Sequence, residues 1–352
     1  MNLDQLLDRV RHGEPLQHIS LAGVDLSGLD LAGASFDHVD FSGARMSNCQ
    51  LQDSQFTNCV MARWEAGGAN LDMARLIRCQ APDAMLGGGR FHGASFAECN
   101  LAGATLDQAE LRESAFTATS LEGASLQSAL LERAVFSRGT LASADLSHAR
   151  ISHTLFHQLD LRSITLTRAN AASTMFIECN LSGQSFTGQA YPLCHFTDCQ
   201  LDAADFRNAD LRQAGFKGSS LRGASFAGAS APQGLFPQAD LSGADLQGGR
   251  FDGAIWVEAT LDGASLQGAS LSLCIFQRAR CAGTDFRGAN LADADFSLAD
   301  LDRADLRDAT FMRTRMHRAL TPGVRWTQRH GIIENDAPLL EAELWSAGRT
   351  SI

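Results

Sequence analysis

Nine cysteines, ten histidines and forty acidic residues could serve metal ligation, disulfide bonding or acid–base chemistry, and their spacing decides which. No Cys-x-x-Cys pair occurs, so the short-range signature of a structural zinc or redox site is missing. His148, His153 and His157 lie close together in sequence, as ligands carried on one element do. Gly87-Gly88-Gly89 is glycine-rich but lacks the GxGxxG or P-loop context in which backbone amides cradle a phosphate. Asp293, Asp295, Asp300, Asp302, Asp305 and Asp308 crowd one stretch, with Arg303 and Arg307 interleaved. Each of these groups depends on where the backbone points its side chains.

A five-residue period governs that. From Leu16 to Met316, 56 of the 61 residues taken at every fifth position are Leu, Ile, Met, Phe, Tyr or Trp, the exceptions being Ala66, Ala81, Ala171, Ala231 and Cys281. All twenty phenylalanines obey this register, which fits neither the 3.6-residue period of a helix nor the 2.0 of a strand. Two residues before each large one stands a small one, usually Ala, and Cys49, Cys59, Cys79, Cys99, Cys179, Cys194, Cys199 and Cys274 share that slot. Each unit therefore reads small–polar–large–polar–polar, with two side chains inward and three outward.

The register reassigns the candidate chemistry. The cysteines become buried residues slightly larger than Ala, and thiols stacked in parallel make poor disulfide partners. The three histidines fall on three successive faces, which suits surface decoration. The triple glycine is a coil corner, and the aspartates form a solvated face. No catalytic, metal-ligating or cofactor-binding residues are expected. A filled, loop-free solenoid offers no concave pocket, so no enzyme is expected either.

A longer period overlies the short one. Phe116, Phe136, Phe156, Phe176, Phe196, Phe216, Phe236, Phe276 and Phe296 recur every twenty residues, with Trp256 in the gap. Twelve of the twenty phenylalanines share one class modulo twenty, and Cys59, Cys79, Cys99, Cys179 and Cys199 share another. Four units per turn follow. At roughly 4.8 Å between stacked strands, about fifteen turns make a rod on the order of 70 Å long. Trp64 beside Ala66 reads as a volume swap. Val24, Leu29 and Val39 enlarge the small slot near the start. Leu159, Ile164, Gln184 and Gln189 do so mid-chain beside Tyr191 and Pro192. Inward glutamines need hydrogen-bond partners, so an irregularity or bend is expected over residues 184–195.

Units such as Ala239-Asp240-Leu241-Ser242-Gly243 and Ala289-Asn290-Leu291-Ala292-Asp293 resemble those of pentapeptide-repeat proteins. The resemblance implies an all-β fold, a right-handed quadrilateral β-helix, over residues 16–320. Residues 1–15 are expected to form a capping helix with Leu3, Leu6, Leu7 and Val10 on one face and Gly13 and Pro15 as its stop. Residues 321–352 are expected to hold a helix that starts after Asn335-Asp336, exposes Leu339, Leu340, Leu344 and Trp345 on one face, and ends at Gly348. That helix either caps the last coil or makes a homodimer contact.

The net charge of −11 argues against a nucleic-acid groove or an anionic-membrane surface. No apolar run is long enough to span a membrane, no secretory signal is seen, and a cytoplasmic location is the default. The sharpest surface feature lies beside the Phe ladder. The exposed slot just before it should be polar but holds Val135, Leu155, Met175, Leu235, Ile255 and Ile275, with Ile177, Val257, Leu193 and Leu273 on the same face or its corner. Contiguous apolar surface marks an interface; the alternatives are cover by the chain's own C-terminal segment and half-burial beside bulky Phe. The leading expectation is a non-catalytic scaffold binding another protein, or a second copy, along this face. Leu6-Leu7-Asp8-Arg9-Val10 with Gly13-Glu14-Pro15 also resembles the start of accessory proteins encoded with bacterial type VI secretion systems. The second expectation comes from family members that mimic DNA, bind gyrase and protect it from quinolones. Residues 21–320 carry 33 acidic against 24 basic residues, a net of −9 spread over a long surface, which is a thin charge for a DNA mimic.

Overall fold

In a regular repeat all five amides find acceptors, and this accounting explains the sequence pattern. In the unit around Leu241, the Leu241 amide donates to Thr260 one turn ahead, Gly243 to Asp262, and Asp245 back to Ala224, at 2.7–3.0 Å. Ala244 closes the turn onto the Leu241 carbonyl at 3.0 Å. The fifth amide, Ser242, is taken by the Asp240 side chain at 3.0 Å. That last bond is why Asp, Asn, Ser and Thr precede the large residue: a short polar side chain caps its own turn. The turn puts positive φ two residues after the large one, and Gly243 sits there at 66°.

The structure, a computed structural model, describes residues 3–349 and divides into two compact units, Met1–Asn180 and Leu181–Ile352. Each holds about eight twenty-residue turns of an all-parallel β-solenoid, four pentapeptides to a turn. In the first unit, helix α1 (Leu3–Arg11) precedes nine short strands: β1 (Leu16–Gln17), β2 (Ser35–Asp37), β3 (Gln55–Thr57), β4 (Arg75–Ile77), β5 (Ser95–Ala97), β6 (Ala115–Thr117), β7 (Val135–Ser137), β8 (Leu155–His157) and β9 (Met175–Ile177). They pair in sequence order with an exact offset of twenty, as in Phe116↔Phe136 and Phe136↔Phe156. The rings of Phe96, Phe116, Phe136, Phe156 and Phe176 stack inward at 4.7–5.2 Å, all within 8° of parallel. The amphipathic α1 buries Leu6 and half-buries Leu7 and Val10, while Leu3 and Val24 stay open to solvent.

The second unit repeats the plan with a second aromatic column. Phe196, Phe216 and Phe236 stack at 5.0–5.1 Å, Phe186, Phe206 and Phe226 stack at 4.6–4.8 Å, and the columns meet edge to face. Trp256 continues the first column at 4.0 Å from Phe236. Strand β10 (His195–Thr197) lies on this face, and β11 (Thr314–Arg315) pairs with β12 (Ile332–Ile333) at an offset of eighteen. Ladder pairing thus runs past the point where the sequence period fades, through Asp305↔Arg325 to Ile332. The Trp326 ring lies 5.9 Å from that of Phe311, with the Arg329 guanidinium over its face. Helix α2 (Ala337–Arg349) begins with Asp336 capping the Leu339 amide at 3.1 Å and continues through Gly348, the expected stop.

Two expectations need correction. Gln184 and Gln189 are half-exposed rather than inward, and their carbonyls still accept from Asp205 and Asp210 at 2.8–2.9 Å. The backbone there keeps its ladder, because a long polar side chain can leave a small slot without disturbing the amides. The cysteines are also more than enlarged alanines. All nine are unbridged and buried. Cys59, Cys79, Cys99 and Cys179 donate Sγ–H to carbonyls of their own and the preceding turn, as Cys99 does to Leu76 and Ala97 at 3.3–3.4 Å. From the same slot Thr119 makes both bonds, and Ser219 makes the one to the preceding turn. Burial pushes the Cys179 thiol up to about 11, so it is not a nucleophile at neutral pH.

Tyr191 is fully buried, and its hydroxyl has no hydrogen-bond partner among the described residues. An unsatisfied buried hydroxyl costs about 1–3 kcal/mol, and Phe stands at the equivalent position of other turns, at Phe91, Phe251 and Phe311. Tyr191→Phe is therefore expected to raise the thermal midpoint in a calorimetric scan; a lower midpoint would mean that the hydroxyl is bonded in solution.

Candidate functional site

The slot just before the large residue faces outward on all four sides of the second unit, so its four columns can be compared rung by rung. On three sides the columns read Asp240, Thr260, Arg280; Asp245, Ser265, Asp285; and Arg250, Ser270, Asn290. On the fourth, Leu235 bridges Ile255 and Ile255 bridges Ile275. All three are half-buried by their neighbours in the column, as is Val257 beside them. Leu273 stands at the corner with 63% of its surface exposed. The strip is bounded by Gly215, over which the His195 ring lies, and by Asp295, which bridges Ile275 on the other side. Leu193 is exposed at the same corner column but lies apart, lining a shallow recess with Pro192, Arg212 and Pro232.

The first unit carries the same kind of column. Val135, Leu155 and Met175 are in direct register on β7, β8 and β9, with Met175 the most exposed at 40%. Ile177 lies two residues along β9 and opposes His157. Rungs at the strand spacing of roughly 4.8 Å leave no room for water between branched side chains, so each column presents one continuous apolar edge.

Among the described residues, the C-terminal segment covers only the far end of the second column. Ile333 on β12 lines a cavity of about 480 Å³ with Leu273 and Ile275. A second cavity of about 400 Å³ lies between α2 and the turns, lined by Leu298, Ile333 and Leu339 together with Arg278, Arg315 and Glu343. Leu235, Ile255 and Val257 line neither cavity. Leu298 and Ile333 were missed in the sequence, although Leu298 occupies a normally polar slot and was detectable on that ground. Of the tail residues expected on one face, Leu339 lines the cavity, Leu340 is half-buried, and Leu344 is 65% and Trp345 62% exposed.

Polar contacts hold α2 in place. Glu343 accepts from Arg318 at 2.9 Å and from His317 Nε2 at 3.2 Å, while His317 Nδ1 accepts the Asp336 amide at 3.3 Å. This places the His317 proton on Nε2. Burial pulls the neighbouring Asp295 carboxyl upward, but hydrogen bonds from Ser297 and Gln277 outweigh it and hold the group below the usual range. The acidic stretch beyond is absorbed locally. Asp305 is buried between Arg307 at 2.7 Å and Arg325 at 3.1 Å, Asp293 holds Arg313 at 2.6 Å, and Asp302 holds Arg303 at 2.9 Å. The three expected surface histidines stay separate, with His157 bonded to Ser137 at 3.2 Å.

The amide accounting and the offset of twenty are the hallmark of one repeat class. Family models described as pentapeptide repeats match residues 16–63, 194–230, 239–278 and 279–318, and one described as a pentapeptide repeat region matches 89–166. The chain belongs to the pentapeptide-repeat family. No curated protein matches it. Similar solved structures include trypsin-treated QnrB1, a plasmid-mediated fluoroquinolone resistance protein, at 18% identity over 58% of this chain and 95% of that one, with a TM-score of 0.30. HetL, a pentapeptide repeat protein involved in heterocyst differentiation regulation in a Nostoc cyanobacterium, is 26% identical over 89% and 96% of the two chains, with a TM-score of 0.18. A pentapeptide repeat protein of the Arabidopsis thaliana thylakoid lumen is 32% identical over 34% of this chain and 65% of that one, at 0.13. At such scores the superpositions say nothing about partners. No helix among the described residues is long and apolar enough to cross a membrane.

The hydrogen bond from Arg318, reinforced by His317, holds the Glu343 carboxyl below its ordinary 4.5. A depressed carboxyl contributes its full attachment above the unfolded value and loses it as pH falls through the folded one. The protection of amides 337–346, taken relative to intrinsic exchange at each pH, is therefore expected to be high at pH 7 and to fall below about 4.5, before the repeats melt. Glu343→Gln should lower that protection already at pH 7.

Proposed function

We propose that this protein is a non-catalytic cytoplasmic adaptor that binds another protein along the outward apolar columns beside its aromatic ladder. The supporting observation is the rung-by-rung contrast in the second unit: the slot that is polar on three sides is Leu235, Ile255, Ile275 on the fourth. The fold does not require this, since Asp, Ser and Thr occupy equivalent ladder positions with the same backbone bonds. A partner that lays an apolar helix or sheet edge across the rungs would displace water from side chains already half-desolvated. Nine unbridged thiols suit a reducing compartment. Service to a bacterial type VI secretion machine is a finer proposal, resting on Leu6-Leu7-Asp8-Arg9-Val10 and the Gly13-Glu14-Pro15 junction.

The alternative, a DNA-mimicking gyrase binder, requires uncompensated negative columns. In the second unit Asp202, Asp205, Asp210, Asp262 and Asp285 each hold an arginine within 3.0 Å, which cancels much of that field at its source. The adaptor reading is therefore preferred.

Leu235→Asp with Ile255→Asp changes only outward side chains and should leave the circular dichroism spectrum intact. The double variant is expected to lose the protein captured by the parent chain from its native cell. Unchanged capture would sink the interface, and relief of quinolone inhibition in a gyrase supercoiling assay would install the alternative in its place. For α2 we propose attachment to its own unit rather than a homodimer contact. Light scattering should then give a monomer mass for both the parent and Leu344→Glu; a dimer that the substitution dissociates would reassign the helix.

A further inference from the structure

Twenty residues separate His18 from His38, so each occupies the same corner of successive turns in the first unit. Both corners hold left-handed backbone, φ 51° and 53°, which fixes their Cα–Cβ bonds nearly parallel one rung apart. The two rings stack with centroids 4.9 Å apart and 24° between planes. Asp37, at the end of β2, accepts a hydrogen bond from His38 Nδ1 at 2.8 Å, and its backbone carbonyl accepts from the His18 amide at 3.1 Å. One nitrogen of each histidine and one Asp37 oxygen lie within 4.8 Å of one another. Among the described residues this is the one such group of three.

We propose that His18, His38 and Asp37 bind a single divalent transition ion of the zinc class, with water completing its coordination. Zinc takes His nitrogen at about 2.0–2.1 Å and carboxylate oxygen at about 2.0–2.2 Å, so donors around one tetrahedral ion stand roughly 3.3 Å apart. The Asp37–His38 pair must open by about half an ångström to admit the ion in place of the shared proton, and the longest separation must close by about 1.5 Å. Both imidazoles are exposed, and ring rotations of that size about χ1 and χ2 are cheap for unpacked side chains. Two nitrogens and one oxygen favour zinc, nickel or copper over calcium or magnesium, which prefer all-oxygen shells. The next turn already fixes one ligand: Asn58 donates to Asp37 at 3.4 Å, and its own side-chain oxygen is held by Arg78 at 2.9 Å. That chain orients Asp37 as an outer-shell partner orients a metal carboxylate.

The test uses the full chain titrated calorimetrically with zinc sulfate in a non-chelating buffer. One ion per chain is expected, with an affinity that weakens on acidification because binding displaces protons from the imidazoles. Calcium chloride should give no heat. Asn58 occupies the same corner with φ 53°, so His18→Asn and His38→Asn keep the backbone while removing a ligand. Each should lower zinc affinity at least tenfold, and Asp37→Asn should lower it less. Absence of zinc binding by the parent chain, or unchanged binding in both histidine variants, would overturn the proposal.

Discussion

The repeats of each unit depend on the stacking of one turn on the next through backbone hydrogen bonds that pair residues twenty apart. In a unit such as that around Leu241, three amides bond to neighbouring turns, one closes its own turn, and one is capped by a side chain. The composition follows from that constraint. The inward slots must repeat because their neighbours above and below are the same slot, so rings stack on rings and alanines on alanines. The outward slots are constrained at one point, the turn-capping residue, and at the corner, where positive φ favours Gly but is met by many other residue types.

That division explains what was legible in the sequence. The large residue at every fifth position and the ladder at every twentieth report the inward slots, where packing leaves one solution, so fold class and turn length could be read directly. The outward slots obey weaker rules. Gln184 and Gln189 looked inward from their register alone, yet a flexible polar side chain can leave a small slot while its amide stays in the ladder. The bonding of the cysteines was equally hidden: their common class modulo twenty was visible, but the carbonyl each thiol reaches belongs to a corner geometry that periodicity does not encode. Where α2 lies was not readable either, because it rests on Glu343 meeting Arg318 and His317 across about 25 residues.

The candidate surface was half legible. The apolar columns stood out because Val, Leu, Met and Ile violate a strict local rule, and the structure places them outward in two separate units. Their boundaries needed coordinates. Gly215 leaves room for the His195 ring, whose Nδ1 lies 2.6 Å from where a Cβ would stand, so a side chain there would force that ring to turn aside. Ile333 extends the apolar surface by joining the ladder at an offset of eighteen, which a search in steps of twenty overlooks.

The same reasoning explains why surface chemistry here is a property of columns. Residues far apart in sequence become neighbours whenever their separation is twenty, and side chains in one column share nearly parallel Cα–Cβ directions. Short-range motifs such as the histidines at 148, 153 and 157 are scattered by the four-sided turn, whereas His18 and His38 are brought ring to ring. A single substitution adds one group to a column without touching the core beneath it, since the inward neighbours on either side are unchanged. Apolar columns, arginine–aspartate columns and an imidazole pair can therefore coexist on one scaffold, each set by a few outward positions that the packing of the interior does not constrain.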